Sequence, residues 1–217
     1  MIKNIAIDGP AGAGKSSIAK IVASKLGYIY VDTGAMYRAM ALFMLEKNVD
    51  INDEDAIGKA AGEADIKIRY ENGVQCVILN GENVNDRIRT DEVSNAASKT
   101  SVVKKVRERL VALQQELASK ENVVMDGRDI GTKVLPDAYL KIYMTASAEV
   151  RAKRRYDENI SKGMESNLEK IRQEIIERDQ RDMTRKESPL VKAWDAIEID
   201  TGDMTIEEVA DRIIGMI

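Results

Sequence analysis

The sequence predicts an α/β fold, a three-layer α/β/α arrangement in which helices flank a central parallel sheet. Short apolar runs alternate with segments of helical periodicity over most of the chain, which is typical of parallel sheets with helical crossovers. The first apolar run leads through a glycine-rich turn straight into a helical segment. At residues 63–95, two extended segments separated by turn residues indicate a small antiparallel insert.

The individual elements follow from apolar runs, helical periodicity and capping residues. Strands of the parallel sheet are predicted at residues 2–7, 28–31, 123–126, 140–144 and 197–199. Helices are predicted at 15–26, 32–47, 53–63, 101–119 and 206–217, with two more beginning at caps formed by Ser147 and Ser166. Extended segments at 66–70 and 74–79 form the antiparallel insert.

Composition excludes several classes of function. The chain has 217 residues, a formal net charge of -4, one cysteine and no histidine. Without histidine, Ser-His-Asp and Cys-His catalysis and His-ligated metal sites are excluded. The net negative charge argues against nucleic acid as a partner, and no apolar run reaches the roughly 20 residues that span a membrane. A single cysteine and the absence of a signal peptide lead us to expect a cytoplasmic protein without membrane partners.

The glycine-rich turn matches the phosphate-binding loop pattern G-x-x-x-x-G-K-[ST] at every defined position. Glycines allow consecutive backbone N–H groups to surround a phosphate, and the following helix directs the positive end of its dipole at it. Lys15 is expected to reach the β- and γ-phosphates, and the Ser16 hydroxyl to face Mg²⁺. The alternative is a structural turn with an incidental lysine. The residues of the predicted loop are Gly9, Pro10, Ala11, Gly12, Ala13, Gly14, Lys15, Ser16 and Ser17.

Charged residues follow two further segments of the predicted core. Asp126 ends an apolar strand, where a carboxylate could order a metal, and Arg128 and Asp129 come directly after it. A solvated turn is the alternative. Arginines at 151, 154 and 155, and others at 178, 181 and 185, form two clusters in the C-terminal third. They suit a lid that closes over phosphate groups, although interleaved acidic residues are also typical of an exposed, salt-bridged helix.

The segment Asp32–Arg38, which reads DTGAMYR, combines hydroxyls and a guanidinium at the start of a predicted helix. Thr33, Tyr37 and Arg38 there could bind a second anion, which would imply an acceptor that is itself phosphorylated. Ordinary capping by Thr33 and burial of Tyr37 remain the alternative from spacing alone.

Together these segments resemble the P-loop nucleoside monophosphate kinases, and specifically the bacterial cytidylate kinase family. The resemblance covers essentially the whole chain in order. It rests on GPAGAGKSS, DTGAMYR, RTDEVSNAAS at 89–98, DGRDIGT at 126–132, and ERDQRD with Arg185. It implies transfer of the γ-phosphoryl group of ATP to CMP or dCMP, giving ADP and CDP or dCDP. It also implies Mg²⁺ as cofactor and a monomer.

The resemblance also implies roles for individual residues. Gly9 to Ser17 would hold ATP, and Ser16 with Asp126 would hold the metal. The acceptor phosphate would contact Thr33, Tyr37, Arg38 and Arg128, with Thr33 standing where the family usually has serine. The cytosine edge would be read by Ser98, Arg107 and Asp129, and the ribose side by Arg178 and Asp182. Arg181 and Arg185 would be lid and phosphate arginines, and the predicted catalytic residues are Lys15, Arg128, Arg178 and Arg181.

The resemblance gives a single kinase domain divided into three parts. Its core would comprise 1–62, 96–150 and 186–217, with a nucleotide-binding insert at 63–95 and a lid region at 151–185. Three alternatives stay open: a kinase for another small acceptor such as AMP, UMP, dTMP or a non-nucleotide metabolite, a GTPase-like switch, and a structural α/β domain. The absence of an Asn-Lys-x-Asp motif argues against the switch, and a structural domain leaves GPAGAGKSS unexplained.

Overall fold

The computed structural model describes residues 2–217 and divides into two compact units. Unit 1 contains the residues up to Tyr30 together with Asn122–Ile217, and unit 2 contains Val31–Glu121. The strands are β1 (Ile5–Asp8), β2 (Ile29–Asp32), β3 (Ile66–Glu71), β4 (Val74–Leu79), β5 (Glu82–Asn83), β6 (Val123–Gly127), β7 (Leu140–Thr145) and β8 (Ile197–Asp200). The helices are α1 (Lys15–Leu26), α2 (Thr33–Glu46), α3 (Glu54–Ala61), α4 (Asp91–Thr100), α5 (Lys104–Ala118), α6 (Ala148–Ser161), α7 (Leu168–Thr184) and α8 (Ile206–Ile214).

A five-stranded sheet with the order β2-β6-β1-β7-β8 forms the centre of unit 1. Strand β1 pairs in parallel with β6 on one side and β7 on the other, and β8 pairs in parallel with β7. All four residues of β1 are buried, as expected for a central strand covered on both faces. Helices α1 and α8 pack together and share a hydrophobic core with β1, β6, β7 and β8. The predicted α/β class with a central parallel sheet is confirmed.

The phosphate-loop helix has the bounds that the sequence predicts. Helix α1 begins after Gly14 and ends at Gly27, and both glycines have positive φ angles, of 83° and 67°. Glycine adopts this left-handed conformation without the steric cost that a Cβ would bring. The two glycines therefore set both ends of the helix.

Unit 2 contains the antiparallel insert and four helices. Strands β3, β4 and β5 form a three-stranded antiparallel sheet, as predicted for this part of the chain. Helix α2 packs on α4 and also contacts α3 and α5. The finer partition into a core, an insert at 63–95 and a lid at 151–185 stays a prediction, with α6 and α7 packed against each other inside the last range.

One local prediction is corrected by the structure, and two elements were not predicted. The helix predicted at 101–119 is present as α5, and a further helix, α4, precedes it and was not predicted. The N-cap of α7 is Asn167, whose side chain accepts from the Lys170 N–H, whereas the Ser166 hydroxyl accepts from Asn159. A π-helical turn at Ile130–Val134 follows β6 and had no signal in the sequence. Among residues 2–217, no helix is both long and apolar enough to cross a membrane.

Candidate active site

The phosphate loop of unit 1 is held through its carbonyl oxygens. Lys15 Nζ donates to the Pro10 carbonyl at 2.6 Å, an Arg151 terminal nitrogen to that of Ala11 at 3.0 Å, and the Thr201 hydroxyl to that of Ala13 at 3.3 Å. Gly14 caps α1 without a side-chain hydrogen bond, so the N–H groups of the first turn are available for an anion. Carbonyl oxygens held by side chains and an uncapped helix start are compatible with phosphate binding.

Gly9 has to be glycine because of the strand beside it. A Cβ at Gly9 would lie 2.1 Å from the Met144 carbonyl oxygen, and its φ is +146°. Any side chain would push the loop away from β7. The first glycine of the motif therefore places the loop against the sheet, independently of any ligand.

Lys15 is a buried cation next to other charged groups of unit 1. Burial, and secondarily the positive charge of Arg128, lowers the pKa of Lys15 to about 7, against the opposing effect of Asp126 and Asp8. A bound phosphate would stabilise the protonated lysine. Lys15 is thus positioned as an anion-binding group whose charge is not fully compensated by the protein.

Ser16 and Asp126 form the candidate metal site. The Ser16 hydroxyl donates to one Asp126 oxygen at 2.9 Å, and the Tyr30 hydroxyl donates to the other at 2.9 Å. A hydroxyl and a carboxylate are hard oxygen donors, and Mg²⁺ is usually held by one or two carboxylates together with substrate phosphates. Within residues 2–217 no cluster of three or more His, Cys, Asp or Glu side chains could hold a metal by itself. The donor set fits Mg²⁺ bound together with a nucleotide.

Asp8 is a site residue that sequence reasoning missed. Its two carboxylate oxygens accept from the backbone N–H groups of Ile130 at 2.8 Å and Gly131 at 2.7 Å. Burial raises the pKa of Asp8 to about 6, although these two hydrogen bonds oppose the shift. Asp8 thereby fixes the turn that follows Arg128 and Asp129. Its only sequence signal is its position directly before Gly9.

Three of the predicted arginines lie close to the buried carboxylate of Asp182. Arg128 Nε donates to Asp182 at 2.9 Å, Arg185 lies 3.8 Å from the same carboxylate and Arg178 lies 4.0 Å away. Burial alone would raise the pKa of Asp182, but Arg128, Arg178 and Arg185 together lower it. Arg181 is exposed on α7. Arg128, Arg178 and Arg185 therefore form a cluster around a buried carboxylate, and the exposed Arg181 is not part of it within residues 2–217.

In unit 2, the segment Asp32–Arg38 begins α2 with Asp32 as its N-cap. The Asp32 carboxylate accepts from the Ala35 N–H at 2.9 Å and from Arg38 at 3.1 Å, and Arg89 lies 3.6 Å away. The alternative interpretation of Thr33 as the capping residue is therefore wrong, and Thr33 is buried in the first turn. Asp32 orients Arg38 before any ligand binds.

The residues predicted to read the base lie on α4, on α5 and beyond β6. In unit 2 the Arg107 guanidinium lies 5.4 Å from the centre of the Tyr37 ring and donates to the Ser101 carbonyl at 3.2 Å. Arg107 is buried and Ser98 is half-buried on α4. Asp129, in unit 1, is buried at the start of the π-helical turn. The structure thus places Tyr37 and Arg107 together within unit 2 and Arg128, Arg178, Asp182 and Arg185 together within unit 1.

A cavity of about 540 Å³ opens beside the phosphate loop in unit 1. It is lined by residues 12–18 of the loop and α1, by Arg151, Arg154, Arg155 and Glu158 of α6, and by residues of the turn at 201–206. Arg154 donates to both the hydroxyl and the carbonyl of Thr201, which fixes this turn next to the loop. The cavity has the size and the basic lining expected for a nucleotide whose phosphates lie on the loop.

Known proteins resemble this chain over almost its whole length. The cytidylate kinase family model matches residues 5–217. The chain is 52% identical over 214 residues to a cytidylate kinase of Bacillus thuringiensis (strain Al Hakam), covering 99% of this chain and 95% of that protein. A cytidylate kinase of Bacillus cereus (strain AH187) matches to the same extent.

Solved structures with low sequence identity share the fold. A shikimate kinase from Bacteroides thetaiotaomicron has a TM-score of 0.52 at 15% identity, covering 100% of this chain and 98% of that chain. A gluconokinase from Sinorhizobium meliloti 1021 has a TM-score of 0.50 at 16% identity, covering 98% and 90%. These structures support the fold, and the family follows from the full-length sequence matches. This chain belongs to the cytidylate kinase family, as its motifs predicted, and is a kinase.

Proposed function

We propose that the chain transfers the γ-phosphoryl group of ATP to CMP or dCMP, producing ADP and CDP or dCDP. The observation that carries the proposal is the phosphate loop. Lys15, Arg151 and Thr201 donate to its carbonyl oxygens, and Lys15 is buried beside it. Membership of the cytidylate kinase family supports cytidylate as the acceptor.

The proposed reaction exchanges one P–O bond for another. The bond between the γ-phosphorus and the bridging oxygen of ADP breaks, and a bond forms to a phosphate oxygen of CMP. That oxygen is already ionised, so no general base is needed, in agreement with a chain that contains no histidine. What the protein has to supply is position and positive charge.

Residues of unit 1 would bind the donor and stabilise the transferring group. Loop N–H groups and Lys15 would hold the ATP phosphates, while Arg128, Arg178 and Arg181 would neutralise charge on the transferring group. Ser16 and Asp126 would hold Mg²⁺, which supplies charge neutralisation on the phosphates when bound. Closure of the lid region 151–185 would exclude water that could otherwise hydrolyse ATP.

The acceptor would be recognised mainly by side chains. Thr33, Tyr37 and Arg38, with Arg128 and Arg185, would bind its phosphate, and Asp182 with Arg178 its ribose. Arg107, Ser98 and Asp129 would read the base, where a carboxylate accepts from the exocyclic amine of cytosine. The insert at 63–95 would belong to the acceptor-binding part of the chain. We further propose a cytoplasmic monomer without nucleic acid or membrane partners, in keeping with its charge and single cysteine.

A coupled assay of ADP release tests the proposed function directly. ATP and Mg²⁺ are supplied with CMP, dCMP, UMP, AMP or dTMP, and kcat/KM is compared between acceptors. CMP and dCMP should be the best acceptors. The variant Lys15→Met, purified in the same way, controls for contaminating kinases. A strong preference for AMP, dTMP or a non-nucleotide acceptor would overturn the assignment.

A further inference from the structure

Arg151 on α6 is a buried arginine with three protein acceptors. Its Nε donates to the Ala146 carbonyl at 2.8 Å, and its terminal nitrogens donate to the Ala11 carbonyl at 3.0 Å and to Asp179 at 2.6 Å. Only 4% of the residue is exposed. Every nitrogen of the guanidinium thus already donates within unit 1, which is the arrangement of a structural clamp.

The packing of Gly12 against Arg151 is a second, independent observation. The phosphate-loop pattern requires glycine at its first and sixth positions only, and Gly12 occupies one of the unspecified positions. Gly12 has a φ of +79°, and a Cβ there would lie 3.3 Å from the Arg151 Cβ. Glycine at this position therefore allows α6 to approach the loop closely enough for Arg151 to reach Ala11.

Asp179 connects the same arginine to α7. It follows Arg178 directly and precedes Asp182, the centre of the arginine cluster, by three residues. The Arg151–Asp179 ion pair is largely buried, with 5% and 13% of the side chains exposed. Buried, hydrogen-bonded ion pairs fix geometry well, because either partner left alone would be a desolvated charge.

We propose that Arg151 is a positioning residue for phosphoryl transfer, which joins the phosphate loop to the helix that carries the arginine cluster. It keeps the Ala11 carbonyl turned toward α6, so that loop N–H groups remain directed at the donor phosphates. Through Asp179 it sets the position of Arg178 and Asp182 relative to the loop. This inference rests on the proposed function, because it assigns Arg151 to donor binding and transfer.

The test compares Arg151→Lys, Asp179→Asn and the double variant with wild type. Lysine keeps the charge but cannot reach three acceptors at once, and asparagine removes the charge of the partner that never contacts the loop. The matched control is Arg172→Ala, which removes ion pairs of α7 with Glu149 of α6 at 3.4 Å and with Glu169 at 2.8 Å. Each protein is measured for its Kd for ADP, for kcat and both KM values, and for its Tm.

We expect Asp179→Asn to raise KM for ATP and Kd for ADP and to lower kcat, each by about tenfold, with KM for CMP within about twofold. Arg151→Lys should do the same, and the double variant should be no worse than the more affected single one. Arg172→Ala should behave as wild type. Restored kinetics in Asp179→Glu, which keeps the charge, would support the assignment further.

Three results would overturn the proposal. Loss of ATP binding in Arg151→Lys with Asp179→Asn unchanged would mean that Arg151 contacts the nucleotide directly. A lower Tm with unchanged kinetics in both variants would mean a purely structural pair. An equal effect of Arg172→Ala would mean that any α6–α7 contact suffices. Wild type that binds ADP but does not phosphorylate CMP would instead refute the proposed function, and Kd for ADP would still decide on Arg151.

Discussion

In unit 1 the phosphate loop is held through its backbone, since Lys15, Arg151 and Thr201 each donate to one of its carbonyl oxygens. In unit 2 the candidate acceptor residues are side chains on three separate helices, α2, α4 and α5. A backbone cradle recognises phosphate and is indifferent to what the phosphate is attached to. Side chains such as those of Tyr37 and Arg107 can distinguish one base from another. Variants in the two units should therefore fail in different ways.

Replacing Lys15 should have the largest effect. Lys15→Met removes the charge aimed at the transferring phosphates, and kcat should fall by about 10²–10³-fold, as for other lost transition-state charge contacts. The Tm is measured alongside kcat, because Lys15→Met also leaves the Pro10 carbonyl without its hydrogen bond, and lost activity has to be separated from lost stability.

The control for this variant is Lys25→Met on the same helix, where the lysine is half exposed and pairs with Asp211. Its kcat should match that of wild type. The ADP-release assay measures both. Full activity of Lys15→Met would mean that Lys15 takes no part in phosphoryl transfer. The assignment of donor binding to the phosphate loop of unit 1 would then lose its support.

The variant Asp129→Ala tests whether unit 1 binds only the donor and unit 2 only the acceptor. Asp129 lies in unit 1, yet it is assigned to the base of the acceptor. Asp129→Ala should raise KM for CMP by about 10²-fold, the cost of leaving a buried polar partner unsatisfied, with little change in Kd for ADP. Arg107→Met in unit 2 should have the same signature.

Measuring KM for CMP and Kd for ADP in both variants separates the possibilities. Should ATP and ADP affinity collapse in Asp129→Ala while Arg107→Met retains them, Asp129 would belong to the metal or loop side. Unit 1 would then serve the donor and unit 2 the acceptor base, which is a clearer division than the proposed roles give.

Much of the fold could be predicted because it depends on local signals. Gly14 and Gly27 set the ends of α1, and the alternating segment before Asn72-Gly73 and the extended run after it mark the β3–β4 hairpin. Helix α4 was missed because its ten residues are mostly polar, and its cap, Thr90, lies inside a motif interpreted for its function. Local patterns specify elements well when a glycine or a regular alternation marks the boundary.

The site could be predicted only in part, because its supporting contacts are remote in sequence. Asp8 reaches Ile130 across 122 residues, and Arg151 reaches Ala11 across 140. Periodicity and motif spacing carry no information about such pairs. Asp8 was not predicted at all, and Arg151 was predicted only as part of a basic cluster, because their contacts form only once the strands and helices have packed.

The pH dependence of stability tests the raised pKa of the buried Asp8 in unit 1. The pKa of Asp8 is raised by burial from 3.8 to about 6, so between these values the folded state binds more protons than the unfolded state. The free energy of unfolding should therefore fall as pH rises through this window, by roughly 3 kcal/mol from this one group. Asp8→Asn does not titrate and should lack this contribution.

Chemical denaturation of both proteins from about pH 4 to about pH 7 measures the difference. The advantage of wild type over Asp8→Asn should be largest at the acidic end and shrink toward neutral pH. Parallel stability curves would contradict a raised pKa for Asp8.

The smallest effect on activity is expected from replacing Gln75, which lies in unit 2. The Gln75 side chain accepts from the Asp32 N–H at 2.8 Å and donates to the Asp32 carbonyl at 3.1 Å, as a neighbouring strand would. Gln75→Ala leaves both groups without these bonds. We expect the free energy of unfolding to fall by about 1–2 kcal/mol.

Because Asp32 also orients Arg38, Gln75→Ala should raise KM for CMP by a small factor, about threefold, and leave KM for ATP unchanged. The matched control is Gln173→Ala, whose exposed amide donates to Glu177 on the surface of α7. If KM for ATP rose instead, Asp32 would influence the donor, and acceptor recognition could not be assigned to unit 2 side chains alone. A selective change in KM for CMP would mean that the Gln75 side chain holds the backbone at Asp32 in the position that acceptor binding needs. In unit 1, side chains likewise hold the phosphate loop, but that loop recognises its ligand through backbone N–H groups.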